Sequence, residues 1–158
     1  MKTIHTDKKP LQLFQKTIVI TVLFLSSFSL YAQNWVEMCK LIAPDRDTST
    51  SLGMSVSISG NYAVAGAYRE KKDVNGANSQ IDAGAVYIFK RDAVLDKWNF
   101  QQKIVASDRA TSDQFGESVC ISGDYIAVGA WYEAEDANGK NTLTNSGSVY
   151  VSLGSKEI

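Results

Sequence analysis

Between Trp35 and Asp92 the chain spells a text that it spells again, sixty-three residues later, between Trp98 and Ser155. Laid over one another without a gap, the two stretches agree at 24 of 58 positions. The agreement falls on residues with strong backbone or packing demands. Among the pairs are Trp35/Trp98, Lys40/Lys103, Asp45/Asp108, Gly53/Gly116, Gly60/Gly123, Gly66/Gly129, Gly84/Gly147 and Tyr87/Tyr150. Glycines repeated at fixed places mean repeated turns or close approaches that a side chain would block. A repeat of this length constrains the fold more than any local signal, because each unit must bury its apolar face against the next.

Within the second copy, four short runs read as strands: WNFQQKIVA, ESVCISG, YIAVGAW and SVYVSL. ISGNY in the first copy and ISGDY in the second put glycine and then Asn or Asp between two β-rich runs, which predicts tight hairpins. Along ESVCIS, Val119 and Ile121 face one way while Ser118, Cys120 and Ser122 face the other. YIAVGA is small or apolar on both faces, which suits burial between two layers. No sustained helical period occurs past residue 32, and REKKDVNGANSQIDA and EAEDANGKNTLTNS read as loops. Four short strands per unit at a fixed long period is the pattern of a β-propeller. The expected fold is therefore all-β, built of four-stranded antiparallel blades in two repeats, 35–97 and 98–158.

Residues 1–32 read differently. Lys2, Lys8, Lys9 and Lys16 make a basic head, and the apolar run TIVITVLFLSSFSLYA follows from Thr17 to Ala32. Sixteen residues fall short of the roughly 20 of a membrane span but suit the core of a secretory signal, with cleavage after Ala32. Leu30 is larger than that cleavage rule prefers, and an uncleaved anchor is the other reading. Residues 33–158 carry 12 basic and 16 acidic side chains, a net −4. Nothing basic clusters, so nucleic acid is not the expected partner. Export would permit a disulfide between Cys39 and Cys120. The two are not equivalent in the repeat, and buried or half-buried free thiols are the plainer expectation.

The order Phe115-Gly116 then Gly129-Ala130, with Leu52-Gly53 and Gly66-Ala67 before it, resembles the FG-GAP repeat of integrin α-subunits and many secreted bacterial proteins. Tyr68 and Trp131 stand where that motif has its proline. The resemblance implies blades around an axis, usually seven to a ring, and a surface used for binding. It also implies a calcium loop between the second and third strands, several oxygens wrapping one ion around a glycine bend. Its positions fall on Lys71, Asp73, Asn75, Gly76 and Ser79, then on Ala134, Asp136, Asn138, Gly139 and Thr142. The outer carboxylates are missing in both copies, so a plain Asp/Asn-Gly turn is the favoured reading, with calcium as the alternative. The acidic DRDTS and DRATS segments read as crossings between blades.

The resemblance also sets a phase. The Phe-Gly crossing precedes the innermost strand, so Met54–Val105 makes one blade and residues 117–153 supply three strands of a second. WVEMCKLI, from Trp35, is expected to be an outer strand without its own blade. Rings of this type need about 4–8 blades. Two accounts follow. The chain is a truncated piece of a longer propeller protein, without independent function, or three or four copies join head to tail through strand addition. Alone, the chain exposes sheet edges and two apolar blade faces.

Chemistry is argued against by composition. The only histidine is His5, so residues 33–158 have no imidazole for a nucleophile relay or a His-based zinc site. Paired carboxylates can cleave glycosidic bonds, and Glu133, Glu135 and Asp136 lie together in what reads as a solvated loop. That leaves a carbohydrate-active component as a second alternative to the expected function, a secreted non-catalytic module that binds a protein or glycan. Tyr68 and Trp131, ending the second strand of each unit, are either contact residues or plugs between blades. Trp35 and Trp98 read as anchors of the outer strand.

Overall fold

The computed structural model describes residues 34–140 and 142–154. The basic head, the apolar run and the cleavage point expected at Ala32 lie outside them. Two compact units divide the chain, Met1–Met38 and Cys39–Ile158. Residues 34–38, the described part of the first, hold neither strand nor helix, and Trp35, Val36 and Met38 are exposed.

The second unit holds seven strands: β1 (Val56–Ser59), β2 (Tyr62–Ala67), β3 (Ala85–Asp92), β4 (Lys97–Ile104), β5 (Phe115–Ser122), β6 (Tyr125–Ala130) and β7 (Ser148–Leu153). They make two antiparallel sheets, β1-β2-β3-β4 and β5-β6-β7. The fold is all-β, with no helix among the described residues. The phase is the expected one: a complete four-stranded blade, then three strands of another. One expectation fails. Trp35–Ile42 forms no strand, and Trp35, 87% exposed, is no outer-strand anchor. A strand persists by pairing its backbone groups with a neighbour, and no third strand of a preceding blade exists among the described residues.

The hairpins close as the sequence predicts. Ser59 pairs with Tyr62 and Ser122 with Tyr125, with the first turn residue, Gly60 or Gly123, at φ 55°. A positive φ at the first central position suits the primed turns, whose twist matches the strands they join. In β5, Ile121 is buried and Val119 half-buried, while Ser118, Cys120 and Ser122 face solvent. Cys39 and Cys120 are free, and both are exposed, so the expectation of buried thiols is corrected. Cys120 follows the outward alternation of its serine neighbours.

The blades stack face to face. Val64, Val86 and Ile88 of the first meet Phe115, Ile121, Ile126 and Val128 of the second in one buried cluster, each large side chain there contributing about 1.5–3 kcal/mol. The opposite face of the first blade buries Tyr87 and Phe89, packed beside Leu41 and Trp98. Trp98 is thus the outer-strand anchor that the sequence predicts. Between the blades, backbone meets backbone. A Cβ on Gly66 would stand 1.8 Å from the Gly116 carbonyl oxygen, so only glycine admits the crossing here. The crossing docks as a short ladder: Ser112 N donates to Ile81 O (2.8 Å), Gln114 N to Asp82 O (3.0 Å) and Phe115 N to Ala83 O (3.0 Å).

Candidate functional site

Both blades build a polar set at equivalent positions of the repeat, and the first blade draws its set from four elements. In the first, the crossing supplies Asp45, the turn after β2 supplies Glu70, β3 supplies Tyr87 and β4 supplies Lys103. The Tyr87 hydroxyl stands 2.8 Å from Asp45 Oδ1 and 3.0 Å from Glu70 Oε2. Lys103 Nζ lies 2.8 Å from Asp45 and 3.5 Å from Glu70, and over the Tyr87 ring. Glu70, Tyr87 and Lys103 are all buried. Burial, aided by the bond to Asp45 and the charge of Glu70, pushes the phenol far above its ordinary range. Desolvation works to raise Asp45, but the bonds from Lys103 and Tyr87 outweigh it and hold the carboxyl low.

The second blade repeats three of the four. The Tyr150 hydroxyl reaches Asp108 Oδ1 (2.8 Å) and Glu133 Oε2 (3.3 Å), and burial raises its phenol likewise. No ion pair joins Asp108 or Glu133 to a Lys or Arg among the described residues. Instead a third acid, Asp113, lies in the set, accepting a bond from Ala110 N. Burial first, then repulsion from Glu133, pushes Asp113 up to about 6.

Glu133 is therefore no part of a solvated acidic tip. It is 3% exposed, its Oε1 accepts bonds from the N–H groups of Ala134 and Glu135, and its carbonyl accepts from Gly147 N. Glu135 and Asp136 beside it are half-buried. Sequence reading missed these sets, although the repetition of Asp45, Tyr87 and Lys103 was the signal that marked them.

The two candidate calcium loops fold alike. Asp73 Oδ1 accepts from Asn75 N (2.8 Å) and Ala77 N (2.9 Å), and Oδ2 from Asn78 Nδ2 (2.6 Å). Asp136 Oδ1 accepts from Asn138 N (2.9 Å) and Lys140 N (3.0 Å). Gly76 and Gly139 take φ 75° and 66°. The carboxylates thus cap their own turns, and the N–H of Ala77, with Asn78 and Asn75, lowers the Asp73 pKa. Lys71, Ser79, Ala134 and Thr142 fill the remaining positions of the pattern. No group of three or more His, Cys, Asp or Glu side chains is arranged to hold a metal among the described residues.

The aromatic ends of β2 and β6 differ. Tyr68 is half-buried beneath the Arg69 guanidinium. Trp131 is 60% exposed, stands 5.4 Å from the Tyr132 ring, and with Tyr132 and Asn145 frames a shallow recess of about 360 Å³. Beside it opens a larger cavity of about 550 Å³, lined by Gly129, Gly147, Ser148 and Val149. Its first-blade counterpart, at Gly66 and Gly84, is occupied by Phe115 and Gly116.

Comparison with curated proteins returns no match. The family model described as FG-GAP repeat matches residues 35–89 and again 98–152, together more than half the chain and one match to each copy of the repeat. The protein belongs to the FG-GAP repeat family.

Proposed function

We propose that the chain is an exported, non-catalytic β-propeller repeat module that binds a protein or glycan through the aromatic end of its second blade, with residues 1–32 as its leader. The observation that carries this reading is the Trp131–Tyr132 pair, rings 5.4 Å apart and open to solvent beside a recess. A large ring with one apolar face and a polar tip is costly to leave in water and well suited to sugar faces or partner side chains. The absence of catalysis is supported by Glu133, whose carboxylate oxygens are taken up by Ala134, Glu135 and Tyr150, and by the lack of histidine past His5.

Screening the purified chain against a polysaccharide and glycoprotein panel tests this. A ligand held by the parent and lost in Trp131→Ala, with the unfolding midpoint unchanged, supports the reading. Equal binding by the variant overturns the assigned site. Glycan turnover that disappears in Glu133→Gln overturns the non-catalytic assignment.

A further inference from the structure

The first blade shows what completes a blade of this chain. β4 lies antiparallel on β3, with Tyr87 opposite Lys103 and Ile88 opposite Gln102, and it delivers the lysine that faces Asp45 and Glu70. In the second blade β7 ends the sheet. Its Asp108, Glu133 and Tyr150 repeat the first set position for position, without the lysine.

The chain does contain a second strand text of this kind. WVEMCKLI matches WNFQQKIV under the repeat, with Trp35 for Trp98 and Lys40 for Lys103. In this chain it forms no strand, and Trp35, Val36, Met38 and Ile42 are 87, 79, 63 and 49% exposed. We propose that residues 35–42 of a second copy of this chain add to the β7 edge as the fourth strand of the second blade, bringing Lys40 to Asp108 and Glu133.

Charge selects this occupant. Two acids of the set, Asp113 and Glu133, are buried, and a carboxylate cluster out of water gains far more from a lysine than an exposed pair does. Register selects it too. Moved by one repeat, the β3–β4 pairing sets Tyr150 opposite Lys40 and Val151 opposite Cys39. The same shift accounts for the open apolar faces. Val149 and Val151, 72 and 68% exposed, are the counterparts of Val86 and Ile88, which are buried under the second blade. Val56 and Ile58, 70 and 65% exposed, are the counterparts of Val119 and Ile121, which pack from the other side of that interface. One head-to-tail step joins all of these. It places the second copy's Val56 and Ile58 on Val149 and Val151, and its Leu52–Gly53 crossing in the cavity between Gly129 and Gly147. This is the seat that Phe115–Gly116 fills between Gly66 and Gly84. The contact is heterologous, so successive copies continue it until a ring closes. Tyr68 keeps part of its surface open beside its filled seat, so the Trp131 rim remains accessible in the assembly.

The pairing gives a direct test. Facing residues of an antiparallel pair lie roughly 4.5–5.5 Å apart at Cα, within disulfide range. The full chain is purified as its cell leaves it, with Cys120→Ser to remove the other thiol, and Val151→Cys is added. On mild oxidation, intermolecular disulfides joining position 151 to Cys39 are expected by peptide mapping. Ser152→Cys, one residue on and facing the opposite side of the strand, is expected to give at least about tenfold less of this link. Lys40→Glu is expected to reduce the link to a similar extent, and Lys40→Arg to preserve it. A folded chain that forms no 39–151 link overturns the proposal. So does a link that Lys40→Glu leaves untouched, since the acidic set would then have no part in choosing the strand. Glycan or protein binding through Trp131 is read separately, so failure of either idea leaves the other standing.

Discussion

Asp113 is a buried carboxylate beside Glu133 that is costly to ionise, and replacing it with asparagine should stabilise the chain. The site packs Asp113, 5% exposed, with Glu133, 3% exposed, and Asp108. Burial and the Glu133 charge lift the Asp113 pKa from its ordinary 3.8 to about 6. Above pH 6 both folded and unfolded chains carry this carboxylate ionised, and the folded state bears the full cost. As pH falls below 6 the folded chain takes up a proton and the cost recedes. Below about 4 both states are protonated and it is gone. A gap of about two pKa units corresponds to at most about 3 kcal/mol, and partial solvation brings the realistic gain to about 1–2 kcal/mol. The substitution Asp113→Asn need break no bond, since the new amide oxygen still accepts from Ala110 N and the amide nitrogen donates to Glu133. The first repeat already does without the acid, having Thr50 at this position. Urea midpoints for parent and variant at matched pH read the effect. The variant should gain about 1–2 kcal/mol near pH 7.5 and only a small fraction of that near pH 4, with m unchanged. A difference that does not vary with pH, or a loss at the higher pH, refutes the argument.

Three further substitutions probe the first blade and the joint. Tyr87→Phe removes a hydroxyl shared by two carboxylates, one of them buried, and should cost about 2–4 kcal/mol by urea unfolding. A cost under about 1 kcal/mol would mean that Lys103 alone satisfies Asp45 and Glu70. Gly66→Ala drives a methyl to 1.8 Å from the Gly116 carbonyl oxygen and should part the blades, costing more than about 4 kcal/mol. Gly60→Ala, with nothing within 4 Å of the new methyl, carries only the strain of its positive φ, about 1 kcal/mol. Equal losses at the two positions would deny that the blades meet backbone to backbone.

Much of this architecture is legible in the text because repetition exposes backbone requirements directly. The turn glycines Gly60 and Gly123, the alternation of β5 and the phase of the strands all follow from residue order. The outer-strand role of Trp98 follows too, whereas the same reading of Trp35 does not hold. A strand is a property of a pair, and nothing in Trp35–Ile42 reports whether its partner is present. Glu133 misleads for a related reason. Among Glu135, Asp136 and Asn138 its neighbours spell a solvated loop, yet the carbonyl and carboxylate of Glu133 anchor that loop to Gly147 and Tyr150. Residue type alone makes Cys120 a buried thiol, but the period-two pattern of its own strand, with Ser118 and Ser122, already points it outward. The Trp131–Tyr132 rim is visible as two letters, while the recess that it frames with Asn145 depends on how the loop before β7 folds back.

The measurement that bears most directly on the whole account is the solution mass of the purified chain, by light scattering on a sizing column, across a range of concentrations. A second blade that takes its fourth strand, lysine and crossing from a neighbouring copy predicts a discrete species of several copies that dissociates on dilution. A monomer that stays cooperatively folded at every concentration would contradict it.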